Sequence, residues 1–441
     1  MVKKKRFFTL LLVVFCTLLL VVSCKVSDDG GTTQPPPPTP TGDDAETRFS
    51  GSGHADGTAE AFIHWDEDDP PLVATGCAKC HSVGGFVEFA ETGAVTTPAE
   101  PGPFDCSVCH TGSTGGPTRD LGSVTFPSGL TIGGLTEEAI CMQCHQGRSS
   151  KPSVDSYLAA RGPLTGDVVN PALSFRNIHY FPAAATLYGT HALGGYQYEG
   201  MTYDGRFAHV LGFDRCVTCH DPHSLEIKYD ECSTCHPGVS GAGATAASSG
   251  LKDIRWYGSM IDYDGDGNIT EGIYWEIVTI SEYLHNAMWS YSKDICGAPI
   301  VYESHTYPYW FKDTNENGMA DPEEAVYANQ FRLFTPRLMK AVYNYQLFQK
   351  DPGGFAHGGK YLIQLLYDSL MSINGANLNP IWLPTMFRND EGHFDGSSEA
   401  WRHWDGDGAV PGRCAKCHGY GGLADFINTG ENVDTPIPNG M

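Results

Sequence analysis

One five-residue pattern occurs six times, and it limits what the rest of the chain is free to become. Cys77, Cys80 and His81 form C-x-x-C-H, as do Cys106, Cys109 and His110; Cys141, Cys144 and His145; Cys216, Cys219 and His220; Cys232, Cys235 and His236; and Cys414, Cys417 and His418. With 15 Cys and 17 His in 441 residues, composition alone gives on the order of 0.02 such pentapeptides. The pattern is the attachment signature of a c-type haem. Its two thiols form thioethers to one porphyrin, and the histidine that follows is delivered to the iron as an axial ligand. A zinc ribbon needs no histidine after each C-x-x-C, and a disulfide framework would leave all six histidines unexplained. Six covalent haem c groups are expected.

The N-terminus carries Lys3, Lys4, Lys5 and Arg6, then an uncharged, mostly apolar run from Phe7 to Val22, then Ser23-Cys24. That run is shorter than the ~20 residues a bilayer core demands, so it reads as a signal peptide over 1–23. Small residues before a cysteine at its end resemble a bacterial lipobox, which implies lipidation of Cys24 and an outer-membrane lipoprotein. Lys25 rather than Asp follows, in keeping with that address. Residues 24–50 are rich in Pro and Thr around Gln34-Pro35-Pro36-Pro37-Pro38 and read as an anchor and semi-rigid stalk, at most ~80 Å long at ~3.1 Å per residue. The formal net charge of −24 becomes more negative once the basic leader is removed. Nucleic acid is excluded as a partner, and cationic proteins or metal ions fit better. Of the remaining cysteines, Cys16 leaves with the leader and Cys296 is left over as a buried thiol.

Five motifs crowd into 51–250. So little protein per porphyrin cannot build a conventional core, and loops and short helices wrapped around closely packed haems are expected. Residues 251–390 carry no motif. There Ile277 to Lys293 reads as a helix, and Thr335-Pro336 opens another that ends before Pro352. A further helix with Leu362, Leu365, Leu366 and Leu370 on one side follows the Gly-rich stretch around His357 and ends at Asn374-Gly375. The fold class is thus mainly irregular and α-helical, with a helical haem-free segment. Residues 391–441 repeat 53–98. Gly392-His393 matches Gly53-His54, His403-Trp404-Asp405 matches His64-Trp65-Asp66, and the motif at Cys414 matches that at Cys77, which indicates an internal duplication. The second copy stops at Met441, before a counterpart of Cys106, so truncation or capping by a neighbour is expected.

Eleven histidines lie outside the motifs. They supply enough nitrogen for bis-histidine irons, closed to small ligands and suited to electron transfer. The distal candidates are His54, His64, His179, His209, His223, His357, His393 and His403. His191, His285 and His305 read as ordinary surface or core histidines. Asp313-Thr314-Asn315-Glu316-Asn317-Gly318-Met319-Ala320-Asp321-Pro322-Glu323-Glu324 fits a twelve-residue calcium loop, with Asp313, Asn315, Asn317, Met319, Asp321 and Glu324 at the ligand positions. Asp262, Asp264 and Asp266 match the first half of a second loop. Its twelfth position is Ile273, so the last ligand there would be Glu271 or a residue from elsewhere. Ca2+ is the expected ion for both.

With the lipobox, six motifs and spare histidines together, the chain resembles the multihaem c-type cytochrome lipoproteins of dissimilatory metal-reducing and related respiratory bacteria. The resemblance implies an electron carrier rather than an enzyme, with no catalytic residue. Its partners would be redox proteins, other multihaem cytochromes and a metal-ion or mineral acceptor, with respiratory electrons leaving across the outer membrane. Alternatives are a reductase with one open haem and a subunit of a cytochrome polymer. No C-x-x-C-K variant occurs, so the resemblance does not extend to multihaem nitrite reductases of that class.

Overall fold

Every C-x-x-C-H motif in the computed structural model begins on a short helix, and only in the fifth does the second cysteine lie past the helix end, because C-x-x-C spacing places both thiols on one face of a single turn. The structure describes residues 44–113, 115–162, 166–207, 209, 213–236, 238–240, 250–255, 261–377, 386–389 and scattered residues between 403 and 438. The leader, Cys24, most of the stalk and His393 lie outside the described residues, as do the side chains of Cys417 and His418.

The chain runs α1 (Ala45–Ser50), α2 (Glu60–Ile63), α3 (Thr75–His81), α4 (Val83–Thr92), α5 (Cys106–Cys109), β1 (His110–Gly112), β2 (Gly115–Thr118), β3 (Ser123–Thr125), β4 (Thr131–Gly133) and α6 (Glu138–Cys144). It continues through α7 (Lys151–Ala159), α8 (Ala183–Tyr188), α9 (Cys216–Cys219), α10 (Tyr229–Ser233), α11 (Ile273–Tyr291), β5 (Ile300–Tyr302), β6 (Trp310–Lys312), α12 (Pro336–Lys350), α13 (Gly354–Asn374), β7 (Ala409–Val410), α14 (Gly412–His418) and β8 (Ile437–Pro438). The described sheets are two-stranded antiparallel ribbons. The architecture is helical and irregular, as the crowding of motifs requires. Among the described residues no helix is long and apolar enough to cross a membrane.

Helices α11, α12 and α13 hold the main core. Thr335 caps α12 by accepting from Leu338 N, Pro336 follows as its first residue, and Lys350 ends it. Leu338, Ala341, Val342, Leu362, Leu365, Leu366 and Leu370 are wholly buried, so the helical spacing in the sequence does mark the inward stripe. Burying each such leucine stabilises the fold by roughly 1.5–3 kcal/mol. Near the motifs the apolar clusters are far smaller. One gathers Phe62, Phe86, Phe104, Val108 and Ile140, and another gathers Val124, Phe126, Leu135, Met142 and Tyr188.

Structure crosses two of the expected boundaries. Residues 45–50 form α1: Asp44 caps it by accepting from Thr47 N, and Arg48 pairs with Asp221 beside the fourth motif. Packing does not divide the chain at 250. Val154, Leu173, Ile178, Tyr196 and Tyr203 belong to the core built by α11–α13. The physical reason is a buried polar clamp. Asn344 of α12 accepts from Tyr196 N at 2.6 Å and donates to Tyr196 O at 2.9 Å, while Tyr361 of α13 accepts from Gly195 N at 3.0 Å. Buried backbone groups need such partners, and these tie the segment between the third and fourth motifs to the haem-free helices.

Candidate functional site

The motif histidines are pinned to their own cysteines. The N–H groups of His145, His220 and His236 donate to the carbonyls of Cys141, Cys216 and Cys232 at 3.0, 2.9 and 3.0 Å. Each imidazole therefore leaves the end of the helical turn that bears its two thiols.

Opposite each described motif ring lies one histidine from elsewhere. Ring centroids are 5.9 Å apart for His81 and His179, 6.3 Å for His110 and His223, 6.1 Å for His145 and His54, 6.5 Å for His220 and His357, and 6.1 Å for His236 and His209. Two imidazoles sharing one metal, with bonds of about 2.0 Å each, would place their centroids about 6 Å apart. Five of the eight distal candidates are thus brought to motif histidines one to one. The interplanar angles differ, from 4° for His110/His223 to 73° for His81/His179.

The second ring nitrogens explain the orientation. Nδ1 of His81 meets Ala61 O at 2.8 Å, that of His110 meets Gly116 O at 2.7 Å, that of His145 meets Phe181 O at 3.1 Å and that of His220 meets Leu225 O at 3.2 Å. A carbonyl accepts only from an N–H, so Nδ1 holds the proton and Nε2 keeps a lone pair for a metal. Three residues here adopt left-handed backbone although none is glycine: His179 (φ 79°), Phe181 (φ 50°) and Leu225 (φ 66°). Two of them supply those carbonyls and the third is itself one of the paired histidines. Such conformations cost about 1–3 kcal/mol each, spent here on aiming ligand groups.

Charge is also suited to metal binding. Burial, helped by His145 beside His54 and by Arg148 beside His179, pushes both His54 and His179 down to about 4. Burial lowers His81, His145 and His220 as well. Neutral imidazole is the ligating form, so protons do not compete near neutral pH. His357 moves the other way: burial opposes its charge, but the Asp351 carboxylate outweighs burial and raises it.

His357 comes from the corner between α12 and α13. The chain passes tightly there. A Cβ at Gly353 would sit 2.6 Å from the His357 ring, and one at Gly358 would sit 2.4 Å from Thr186 O of α8. The glycines thus make room for the ring and for α8. Phe181 joins this corner to the third motif, since its N–H donates to Lys350 O at 2.9 Å while its carbonyl accepts from His145.

The motifs also touch one another through their thiols. Cys80 Sγ lies 3.8 Å from Gln143 O, and Cys144 Sγ lies 3.9 Å from Lys79 O. Cys141 and Cys216 are within hydrogen-bonding reach of each other. Lys228, beside the fifth motif, donates through Nζ to Val217 O of the fourth at 2.7 Å. Among the described motifs the third thus touches both the first and the fourth.

His64 is not brought to a motif histidine among the described residues. Its Nδ1 meets Glu60 in the same helical turn at 2.7 Å, its side chain is 61% exposed, and Trp65 stands between it and His81. Its counterpart His403 shows the same edge contact with Trp404, 4.8 Å and 81° against 4.9 Å and 80° for His64/Trp65. Lys79 lies over Phe89 as Lys416 lies over Phe426, at 4.8 and 4.1 Å. The repeated histidine thus belongs to a repeated aromatic scaffold. His285 packs on Tyr345, and His305 pairs with Glu303. Cys296 is buried, which pushes its thiol up to about 12.

The two acidic loops share one hydrogen-bond scheme. Asp262 accepts from Gly265 N and Gly267 N at 2.6 and 2.8 Å, and Asp313 accepts from Asn317 N and Gly318 N at 3.2 and 2.7 Å. Glu276 accepts from Tyr263 N and Asp264 N at 2.9 and 3.1 Å, and Glu324 accepts from Thr314 N and Asn315 N at 2.5 and 3.3 Å. Glu276, on the first turn of α11, therefore stands where Glu324 stands in the other loop. The sequence reading missed it because it lies beyond the twelfth position; its signal is a glutamate on the apolar stripe of Ile273, Ile277 and Ile280. Carboxylates converge in the first loop. Asp262, Asp264 and Glu276 lie within 4.8 Å of one another, and so do Asp264, Asp266 and Glu271. Asp264 is wholly buried and its Oδ2 has no hydrogen-bond partner, nor has Glu271 Oε1. Burial and neighbouring carboxylates push Asp264 to about 8 and Glu271 to about 7. Buried anions without donors are unstable unless a cation joins them, so these residues fit a hard divalent ion. In the 313–324 loop, Asn315 and Asn317 donate to Asp321 at 2.7 and 2.9 Å, and Met319 contributes an exposed side chain. Its carboxylates do not converge in the same way.

No family model matches the chain, and no solved structure matches it. Among curated proteins it is similar to the C-type polyheme cytochrome OmcC of Geobacter sulfurreducens, 28% identical over 328 residues, covering 69% of this chain and 37% of that one. It is also similar to the C-type polyheme cytochrome OmcB of the same species, 26% identical over 383 residues, covering 74% of this chain and 47% of that one. The chain spans less than half the length of these relatives. The likeness supports a multihaem c-type cytochrome.

Proposed function

We propose that this protein is an exported electron-transfer cytochrome with six covalent haems, held at the outer membrane by lipid on Cys24. It would move respiratory electrons from a periplasmic or outer-membrane donor, with other multihaem cytochromes as partners, to an extracellular metal-ion or mineral acceptor. The observation that carries this reading is the one-to-one pairing of five motif histidines with His54, His179, His209, His223 and His357. Bound haem supplies reversible one-electron chemistry at iron. The chain's own contribution would be to hold two imidazoles across each of the five described sites, fix the tautomer of His81, His110, His145, His220 and His357 through Nδ1, and keep the sites in contact through Cys80, Cys144, Cys141 and Cys216. A haem held between such a pair would have no open position for a substrate, which favours carriage over catalysis. The acidic loop of Asp262, Asp264, Asp266, Glu271 and Glu276 is assigned Ca2+, and the loop of Asp313, Asn315, Asn317, Met319, Asp321 and Glu324 a weaker site for the same ion. His393 and His403 remain the candidates for the sixth motif.

The ferric spectrum tests the reading. Six low-spin haems are expected, unchanged by cyanide, with no carbon monoxide binding after reduction. Near-parallel imidazoles split the iron d orbitals strongly and perpendicular ones leave them nearly degenerate. The His110/His223 site should thus give an ordinary rhombic low-spin resonance and the His81/His179 site a highly anisotropic one. A high-spin fraction near one haem in six would instead favour a reductase.

The address is tested separately. Cys24→Ala should move the protein from the membrane fraction to the soluble fraction with its haem content unchanged, because anchor and motifs are separated by the Pro-rich stretch. Continued sedimentation with membranes would refute lipid anchoring.

A further inference from the structure

We propose that Asp351 is a positioning residue that makes the His220/His357 site the hardest to reduce of the five described pairs. The inference rests on the reading that His357 is an axial ligand there. Asp351 is 2% exposed in its side chain, and its two carboxylate oxygens lie 2.8 and 3.1 Å from Nδ1 of His357. Among the described residues no Lys or Arg is paired with it. By contrast Asp221, the carboxylate nearest His223, is matched by Arg48. Among the paired imidazoles, those of His81, His110, His145 and His220 donate to neutral carbonyls. His357 instead donates to a carboxylate.

A carboxylate draws the Nδ1 proton more strongly than a carbonyl does, so Nε2 becomes a stronger electron donor. It also places a buried negative charge beside the site. Both effects stabilise the more positive, oxidised metal over the reduced one, and both lower the reduction potential. The step is a bare one-electron transfer in which no bond forms and no proton leaves, so only the electronic stabilisation changes. The turn Asp351-Pro352-Gly353-Gly354 fixes the geometry, because the carboxylate closing α12 and the imidazole on the first turn of α13 belong to one tight corner.

The charge of Asp351 also reaches His145 and His220, but only His357 bonds to it, so the shift should be largest at the His220/His357 site. His81/His179 has Arg148 and Lys350 as its charged neighbours, and these act in the opposite sense. The five pairs therefore should not be equivalent, and the site fed by the haem-free hairpin should be the last to accept an electron.

The test is a spectroelectrochemical titration of the full-length holoprotein beside Asp351→Asn and Asp351→Glu. In Asp351→Asn, which keeps an acceptor oxygen but loses the charge, one midpoint should move furthest to more positive potential, with at most a smaller shift at the His145/His54 site. The expected shift is at least tenfold in that site's reduction equilibrium, about 59 mV for a one-electron couple, with every haem still low-spin. Asp351→Glu should retain the wild-type value. Unmoved midpoints with an intact low-spin spectrum would overturn the inference, and so would a uniform shift of all six. A high-spin haem in Asp351→Asn would also overturn it, because Asp351 would then act only to hold the ring in place. His357→Ala separates the two readings: if that variant stays wholly low-spin the ligand assignment itself fails, whereas an opened site beside unmoved Asp351→Asn midpoints removes only the proposal made here.

Discussion

His357→Ala is expected to keep all its covalent haem while opening one site. Cys216, Cys219 and His220, which make the attachment, are untouched, so haem counted per polypeptide should stay at the wild-type value. What changes is the far side of one iron. The imidazole facing His220 at 6.5 Å is removed, and no other histidine among the described residues faces that ring. One haem in the chain should become high-spin in the ferric state and bind one carbon monoxide per polypeptide when reduced. The fold should survive at a cost of about 3–5 kcal/mol for leaving the Asp351 carboxylate buried without its donor, since the leucines of α13 that build the core lie further along the helix. Carbon monoxide titration and the ferric spectrum read the outcome directly. A wholly low-spin variant that binds no carbon monoxide would remove His357 from the ligand set.

Stripping divalent cations should weaken the haem-free helices. The Asp262–Glu276 loop gathers five carboxylates, one of them wholly buried with an unpartnered oxygen, and a cation bound only in the folded state adds its binding free energy to folding. At a hundred times Kd that is about 2.7 kcal/mol, enough to move the unfolding midpoint of a segment this size by about 5–10 °C. Chelator should therefore lower the midpoint of the wild-type protein by that amount, and calcium should restore it. Asp264→Asn should abolish both the shift and the calcium binding seen by calorimetry. Because Glu276 opens α11 while Trp289 near its far end donates to Asp313 at 2.7 Å, both loops brace the same helix. Identical melting with and without chelator, together with no calorimetric calcium binding, would sink this reading.

Much of this molecule is legible from its residues, and the divide is between local and distant causes. The attachment motifs, the Thr335-Pro336 helix start, the Asn374-Gly375 helix end and the leucine stripe of α13 are fixed by residues a turn or less apart, and all are visible in the sequence. Which spare histidine faces which motif is not visible, because every pair but His209/His236 joins segments far apart in the chain. The repeat of His64 at His403 points to ligands, yet His64 is held by Glu60 and Trp65. Duplication preserves a scaffold as readily as it preserves a ligand. Glu276 escaped because three extra residues separate it from the spacing a calcium loop leads one to expect. The segment around Tyr196 looks like haem-region loop, and only the buried Asn344 and Tyr361 claim it for the helical core.

The long reach of these pairs has a consequence for biogenesis. A polypeptide threaded N-terminus first emerges with its thiols and adjoining histidines together, so each porphyrin can be attached as it arrives. The opposite imidazole arrives on a different schedule. His145 finds His54 already outside, and His236 finds His209, so those two sites close at once. His81 waits for His179, and His110 waits for His223. Among the described pairs His220 would wait longest, until the hairpin corner carrying His357 has emerged and the helices behind it have packed. On the proposed reading a nascent chain would therefore pass through forms with open, ligand-accepting irons, and the last of the five described sites would be sealed by the segment that carries no haem motif of its own.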